Sequence, residues 1–267
     1  PRGGPGAWKI LRPEPVPFIS YPSEWCFGQL RAAALATLRV QATALRRGMS
    51  LRDASAFNIQ FDGPRPLLID TLSFERYVEG RPWVAYRQFC QHFLAPLFLR
   101  AGCDPRLAAL SASWVDGVPL DVARRLAGHR YRWNAGFLVH VGLHARAQEK
   151  YKEAGSRPSG APRLGREALS AIIGSLRSTV EKLSWNPAGT QWADYYAKTN
   201  YSDEAMESKK RFVAEVVEQA RPRQVVDLGA NTGAFAEVAA RTGARVIAAD
   251  VDHGAVELCF RAARATE

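Results

Sequence analysis

Val225-Val226-Asp227-Leu228-Gly229-Ala230-Asn231-Thr232-Gly233 is followed, eleven residues on, by Ala244-Arg245-Val246-Ile247-Ala248-Ala249-Asp250. The apolar run from Gln224 to Leu228 has the length and β-branched content of a parallel strand buried on both faces. Gly229 and Gly233 bracket a tight turn, where glycine permits positive φ and close approach of a ligand to the backbone. Ala234 to Arg241 reads as a helix with Phe235, Val238 and Ala239 on one face, and its first turn aims free N–H groups over the glycines. Arg245 to Ala249 is a second strand that ends at Asp250. A carboxylate there accepts hydrogen bonds from a ribose diol, so strand, turn, helix and acid-ended strand predict a pocket for an adenosine-type cofactor.

The turn does not read G-x-G-x-x-G. Its order, Asp-Leu-Gly-Ala-Asn-Thr-Gly, places an acid before the first glycine and resembles the first motif of class I S-adenosylmethionine-dependent methyltransferases. The resemblance implies that Asp227, Gly229, Asn231 and Gly233 contact cofactor, that Asp250 binds the ribose hydroxyls, and that Val251 or Asp252 lies beside the adenine. Asn231 stands where many members carry glycine, and Asn also tolerates left-handed backbone. A doubly wound domain for NAD(P) or another nucleotide is the alternative reading of the same residues.

A second constellation lies in the first half. Asp53, Asn58 and Asp70 follow the spacing Asp-x-x-x-x-Asn, hairpin, Asp at the end of an apolar strand. In phosphoryl transfer the first acid orients the acceptor hydroxyl, and the Asn and second acid hold magnesium on the phosphates. Preceded by a helix over Trp25 to Arg47, the stretch resembles the C-lobe of the protein-kinase-like fold, nearest the aminoglycoside- and choline-kinase branch, and implies Mg-ATP as an alternative cofactor. Leu51 occupies the place of the kinase histidine, and Thr71-Leu72 replaces Phe-Gly after Asp70. No glycine-rich phosphate loop or strand lysine is present. Read structurally, Asp53 is a turn residue, Asn58 starts a strand and Asp70 ends one.

Phe18 to Cys26, Asp53 to Phe61 and Ile69 to Glu75 resemble a bacterial family of class I methyltransferases related to nodulation-type proteins, in which a kinase-like segment precedes the methyltransferase domain. The expected architecture is therefore α/β: a mainly helical kinase-like C-lobe segment over residues 1–150, a linker and connecting helix over 151–184, and the start of a Rossmann-like doubly wound methyltransferase domain over 185–267. Chain start at Pro1 and a helical reading of the last residues suggest a piece of a longer protein. This piece alone is expected to be inactive.

The remaining patterns are consistent with that frame. Leu30, Ala34, Leu38, Ala42 and Leu45 give the first helix its stripe, and Gly48 ends it. Asn58–Phe61 and Leu67–Asp70 read as strands about the turn Asp62-Gly63-Pro64. From Trp83 to Tyr151 the chain reads as helical, with breaks at Pro96, 102–105, 117–119 and Gly128. Residues 155–162 are a linker, Leu164–Leu183 an amphipathic helix and Ser202–Ala220 another. The net charge of +10 rests on 36 Lys and Arg against 26 Asp and Glu, with the basic residues spread along the chain. A small-molecule or protein methyl acceptor is favoured over nucleic acid. Cys26, Cys90, Cys103 and Cys259 show no CxxC spacing and read as reduced thiols of a cytoplasmic protein. His140 and His144 share a helical face, which we read as packing, with no metal site expected. No run of eighteen apolar residues occurs, so no membrane span is expected.

Overall fold

The computed structural model describes residues 11–142, 165–193 and 202–266, and over them the chain is mixed α/β. Helix α1 (Phe27–Arg46) is the spine. Cys26 caps it: its Sγ accepts from Gln29 N at 3.4 Å, and Gln29 Oε1 accepts from Cys26 N at 2.9 Å, a capping box with a thiol in place of the usual hydroxyl. Gly48 follows its end at φ +71°. Burial extends past the expected stripe to Ala33, Thr37 and Gln41, because neighbours surround α1 on several sides.

Strand β1 (Met49–Leu51) is tied to α1 by Gln41, whose Oε1 accepts from Leu51 N at 2.7 Å. Strands β2 (Ile59–Asp62) and β3 (Arg65–Leu68) form an antiparallel hairpin in the register Ile59↔Leu68 to Asp62↔Arg65, turning at Gly63-Pro64. The second strand thus starts and ends earlier than its apolar run suggests, since the two-residue turn fixes where pairing begins. β4 (Phe74–Arg76) pairs with β1, also antiparallel. Helix α2 (Tyr86–Phe89) runs through a π-helical turn, Cys90–Leu94, into α3 (Ala95–Gly102). Pro96 therefore does not break the helix. It sits in the first turn of α3, where a missing N–H is tolerated. A 3₁₀ turn at Pro105–Ala109 leads into α4 (Leu110–Ser113), followed by α5 (Leu120–Ala127) and the short α6 (Ala135–Phe137). The breaks at 102–105, 117–119 and Gly128 are as expected. Tyr151 and the linker at 155–162 lie outside the described residues.

Helix α7 (Arg166–Lys182) buries Leu169, Ile173, Leu176 and Val180 along α1. Its stripe joins the same apolar core as Trp25, Phe89, Phe93, Phe98 and Phe260. α8 (Asp203–Ala220) starts at Ser202, whose Oγ accepts from Ala205 N. β5 (Gln224–Leu228), α9 (Ala234–Arg241) and β6 (Arg245–Ala249) form a βαβ unit with parallel pairing in register Gln224↔Arg245 to Leu228↔Ala249. β5 is not buried on both faces as expected: Leu228 is 81 % exposed. Among the described residues β5 pairs only with β6. Val225 and Asp227 share the half-buried face, while Val226 and Leu228 alternate onto the open one. In α9, Ala236 and Ala239 are the buried residues and Phe235 and Val238 are only half-buried.

The last helix, α10 (His253–Ala265), returns to α1. Glu257, fully buried on α10, accepts from Gly28 N in the first turn of α1 at 2.6 Å and from Arg261 Nε at 2.8 Å. A Cβ on Gly28 would lie 2.9 Å from Phe260 Cδ1 and 3.0 Å from both Glu257 carboxylate oxygens. The absence of a side chain there is what lets α10 approach. Arg100 on α3 is fully buried nearby and donates to Trp25 O at 2.5 Å, while its Nε and Nη1 have no hydrogen-bond partner.

Candidate functional site

The turn between β5 and α9 adopts three left-handed positions: Gly229 at φ +75°, Asn231 at +52° and Gly233 at +87°. Gly229 N and Ala230 N donate to Ala249 O at 2.8 and 3.0 Å, which ties the turn to the end of β6. Asp250 lies just past that end. Its Oδ2 accepts from Asn231 N and its Oδ1 from Asp252 N, both at 2.8 Å. Two backbone donors thus fix the carboxylate. A carboxylate offers about four lone-pair sites, so two acceptors remain for a ligand diol.

Over this turn lies an open cavity of about 650 Å³ lined by Trp192, Leu228, Gly229, Asn231, Ala249, Asp250 and Val251. Small-molecule and cofactor sites span about 300–1,000 Å³. Of the six residues singled out from sequence, Gly229, Asn231, Asp250 and Val251 come together here, Val251 being 91 % exposed. Asp227 and Gly233 do not line it. The Asp227 carboxyl meets the backbone N–H of Ala236 in the first turn of α9, and its Oδ2 is buried without a partner. Burial raises it above the ordinary carboxyl range, the Ala236 N–H opposes, and the Asp250 charge adds to the rise. Gly233 faces Cys259, whose Sγ would lie 2.6 Å from a Cβ placed there.

Trp192, which no motif in the sequence marks, also lines the cavity. Its position is set by two side chains from the neighbouring turns. Asn231 Nδ2 donates to Trp192 O at 2.8 Å, and Trp192 N donates to Asp252 Oδ2 at 2.9 Å. Asp252 is also the cap of α10, accepting from Gly254 N at 2.8 Å, Ala255 N at 3.0 Å and Thr190 Oγ1 at 2.7 Å. Burial raises the Asp252 carboxyl, but the combined donors, Thr190 foremost, bring it below its usual range. A Cβ on Gly254 would collide with the Thr190 hydroxyl and lie 2.8 Å from Pro187 O. Only an Asx pattern before α10 hints at this clasp in the sequence.

The second constellation is split. Asp53 and Asp70 line one cleft of about 320 Å³ with Arg52, Leu72, Ser73 and Gln88. Asn58 is not in its lining, and its Nδ2 is buried without a partner. Asp53 Oδ1 accepts from Ser55 N at 2.8 Å, and Asp70 accepts from Leu72 N at 2.9 Å and from the Ser73 hydroxyl. The Ser73 hydroxyl, then the Leu72 amide, hold the Asp70 carboxyl below its ordinary range. His140 Nδ1 meets Tyr86 OH at 2.7 Å and its Nε2 meets Ser175 Oγ at 3.0 Å. Its neighbour in the sequence pair, His144, lies outside the described residues. Among the described residues no group of three or more His, Cys, Asp or Glu side chains is placed to hold a metal ion. None of the described helices is long and apolar enough to cross a membrane. The four cysteines are free, Cys26 and Cys90 buried and Cys103 and Cys259 half-buried.

Two parallel strands, a left-handed turn and a fixed acid at the end of the second strand define a βαβ unit with a ligand-sized cavity over its turn. The chain is similar to the nodulation protein NoeA of Rhizobium meliloti (strain 1021), with 35 % identity over 258 residues, 94 % of this chain and 54 % of that protein. It thus spans about half the length of this curated relative. No family model matches the chain, and no solved structure matches it.

Proposed function

We propose that the βαβ unit is the donor half of an S-adenosylmethionine-dependent methyltransferase of the class I, doubly wound type, beginning near residue 185. Residues 1–150 are the kinase-like segment, and 151–184 connect the two. The observation that carries the reading is Asp250: a carboxylate fixed by two backbone N–H groups, at the end of a parallel strand, opening into the cavity over Gly229. Asp250 would hold the ribose hydroxyls, Gly229 would let the ligand approach the backbone, and Val251 would give the base an apolar face. When bound, S-adenosylmethionine supplies an electrophilic methyl group on a sulfonium. Asp250, Gly229 and Asn231 hold the donor in place, and holding donor and acceptor at attack distance is most of what the displacement requires. The acceptor is a small molecule or protein rather than nucleic acid, and similarity to a nodulation protein supports a role for this chain in nodulation. The free cysteines support a reducing, cytoplasmic setting.

A second reading places Mg-ATP in the cleft of Asp53 and Asp70, and it rests on those two acids lining one cavity. Calorimetric titration of the natural polypeptide carrying this chain, with S-adenosylhomocysteine and separately with Mg-ATP, tests both. Binding of the homocysteine compound that Asp250→Ala abolishes is the expected result. Binding of Mg-ATP alone, lost in Asp70→Ala, would replace the first reading with the second.

A further inference from the structure

Trp192 forms one wall of the cavity that Asp250 opens into, yet it comes from outside the βαβ unit. Its peptide is held on both sides. The N–H is bound by Asp252, from the turn after β6, and the C=O by Asn231, from the turn after β5. Both clasping residues are buried. The two turns that shape the ligand cavity therefore also fix the indole at its rim, where it remains 40 % exposed. A large aromatic at a rim is a stacking surface for a planar base, sequence-tolerant and strengthened when water leaves.

Resting on the cofactor reading above, we propose that Trp192 is a ligand-binding residue of this site, its indole stacking on the purine of a nucleoside whose ribose Asp250 holds. Asn231 and Asp252 act as positioning residues that hold the wall in place. The role of Asn231 follows directly: glycine would satisfy its backbone conformation but could not donate to Trp192 O.

The experiment is fluorescence and calorimetric titration of the natural polypeptide carrying this chain with S-adenosylhomocysteine, in wild type, Trp192→Ala, Trp192→Phe and Asp250→Ala forms. Trp192→Ala is expected to weaken binding about 5- to 150-fold, the span corresponding to base–aromatic stacking of about 1–3 kcal/mol. Trp192→Phe keeps a ring, so its affinity falls only a few-fold while ligand-induced quenching of tryptophan emission drops sharply. Undiminished quenching in Trp192→Phe, or unchanged affinity in Trp192→Ala, overturns the proposal and leaves the donor-site reading standing. If wild type binds no S-adenosylhomocysteine, the donor-site reading falls and this proposal with it.

Discussion

Replacing Glu257 with alanine removes the carboxylate that joins α10 to the first turn of α1. The bond from Gly28 N at 2.6 Å is charge-assisted and reaches a helix N-terminus, a class of interaction worth about 1.5–3 kcal/mol. The pair with Arg261 adds at most about 0.5 kcal/mol, since the arginine end is half exposed and the two are one helical turn apart. Arg100 adds a smaller share. Burial pulls its guanidinium down to about 10, opposed first by Cys26 and then, more weakly, by the Glu257 charge. A fall of this size corresponds to about 3 kcal/mol against the charged form. Without Glu257 the guanidinium stays buried with one weak favourable charge fewer, since Glu257 forms its ion pair with Arg261 and not with Arg100. Urea unfolding at pH 7 of wild type, Glu257→Ala, Arg100→Met and the double variant measures it. The expected loss is about 2–3.5 kcal/mol for Glu257→Ala alone, reduced by about 0.5–1 kcal/mol in the Arg100→Met background. A loss below about 1 kcal/mol, or the same loss in both backgrounds, refutes the reasoning.

Burial lowers His92 to about 4, against the pull of Asp53 and Asp116. The unfolded chain therefore takes up a proton that the folded one refuses, and this contribution, complete above pH 6.5, is lost as pH falls to 4. About 3 kcal/mol should disappear over that window, and equilibrium unfolding of His92→Phe should show a shallower acid slope than wild type; equal slopes would exclude His92 as the source. Gly28→Ala should destabilise by about 1–3 kcal/mol, since the new Cβ meets Phe260 and Glu257, whereas Gly174→Ala, with nothing within 4 Å of its Cβ, should stabilise α7 by up to about 1 kcal/mol. Melting curves of the two variants that move in the same direction would contradict the packing at Gly28. Asp252→Ala removes the cap of α10 and the acceptor for Trp192 N, so stability should drop by about 1–2 kcal/mol and the Trp192 amide should lose protection from hydrogen exchange. Retained protection at that amide would show that Asp252 does not clasp it.

The turn from Asp227 to Gly233 was legible because glycine spacing, a β-branched strand and a terminal acid are local signals that agree. The same locality explains the misreadings. β5 carries the composition of a doubly covered strand, but its burial depends on which neighbours adjoin it. Pro96 reads as a breaker until the preceding π turn places it in a first helical turn. β1 and β4 are three residues each and too short for a period to appear. Trp192 and Glu257 act through partners far away along the chain, 39 residues to Asn231 and 229 to Gly28, and no spacing rule links such positions. Asp53 and Asp70 share a cleft as their spacing suggests, while Asn58, five residues from Asp53, does not line it.

The bond between Gly28 and Glu257 also sets a timetable for synthesis. The carboxylate that meets the first turn of α1 is encoded 229 residues after Gly28. At about 5–20 residues per second, the gap is roughly 10–50 s. During that interval the nascent chain must hold α1 without the acceptor for its first turn, or leave it exposed to chaperones until α10 arrives. The first turn of α1 is thus completed only once Glu257 has been made, and a stalled chain ending before Glu257 should be more open to proteases around α1 than its length alone would suggest.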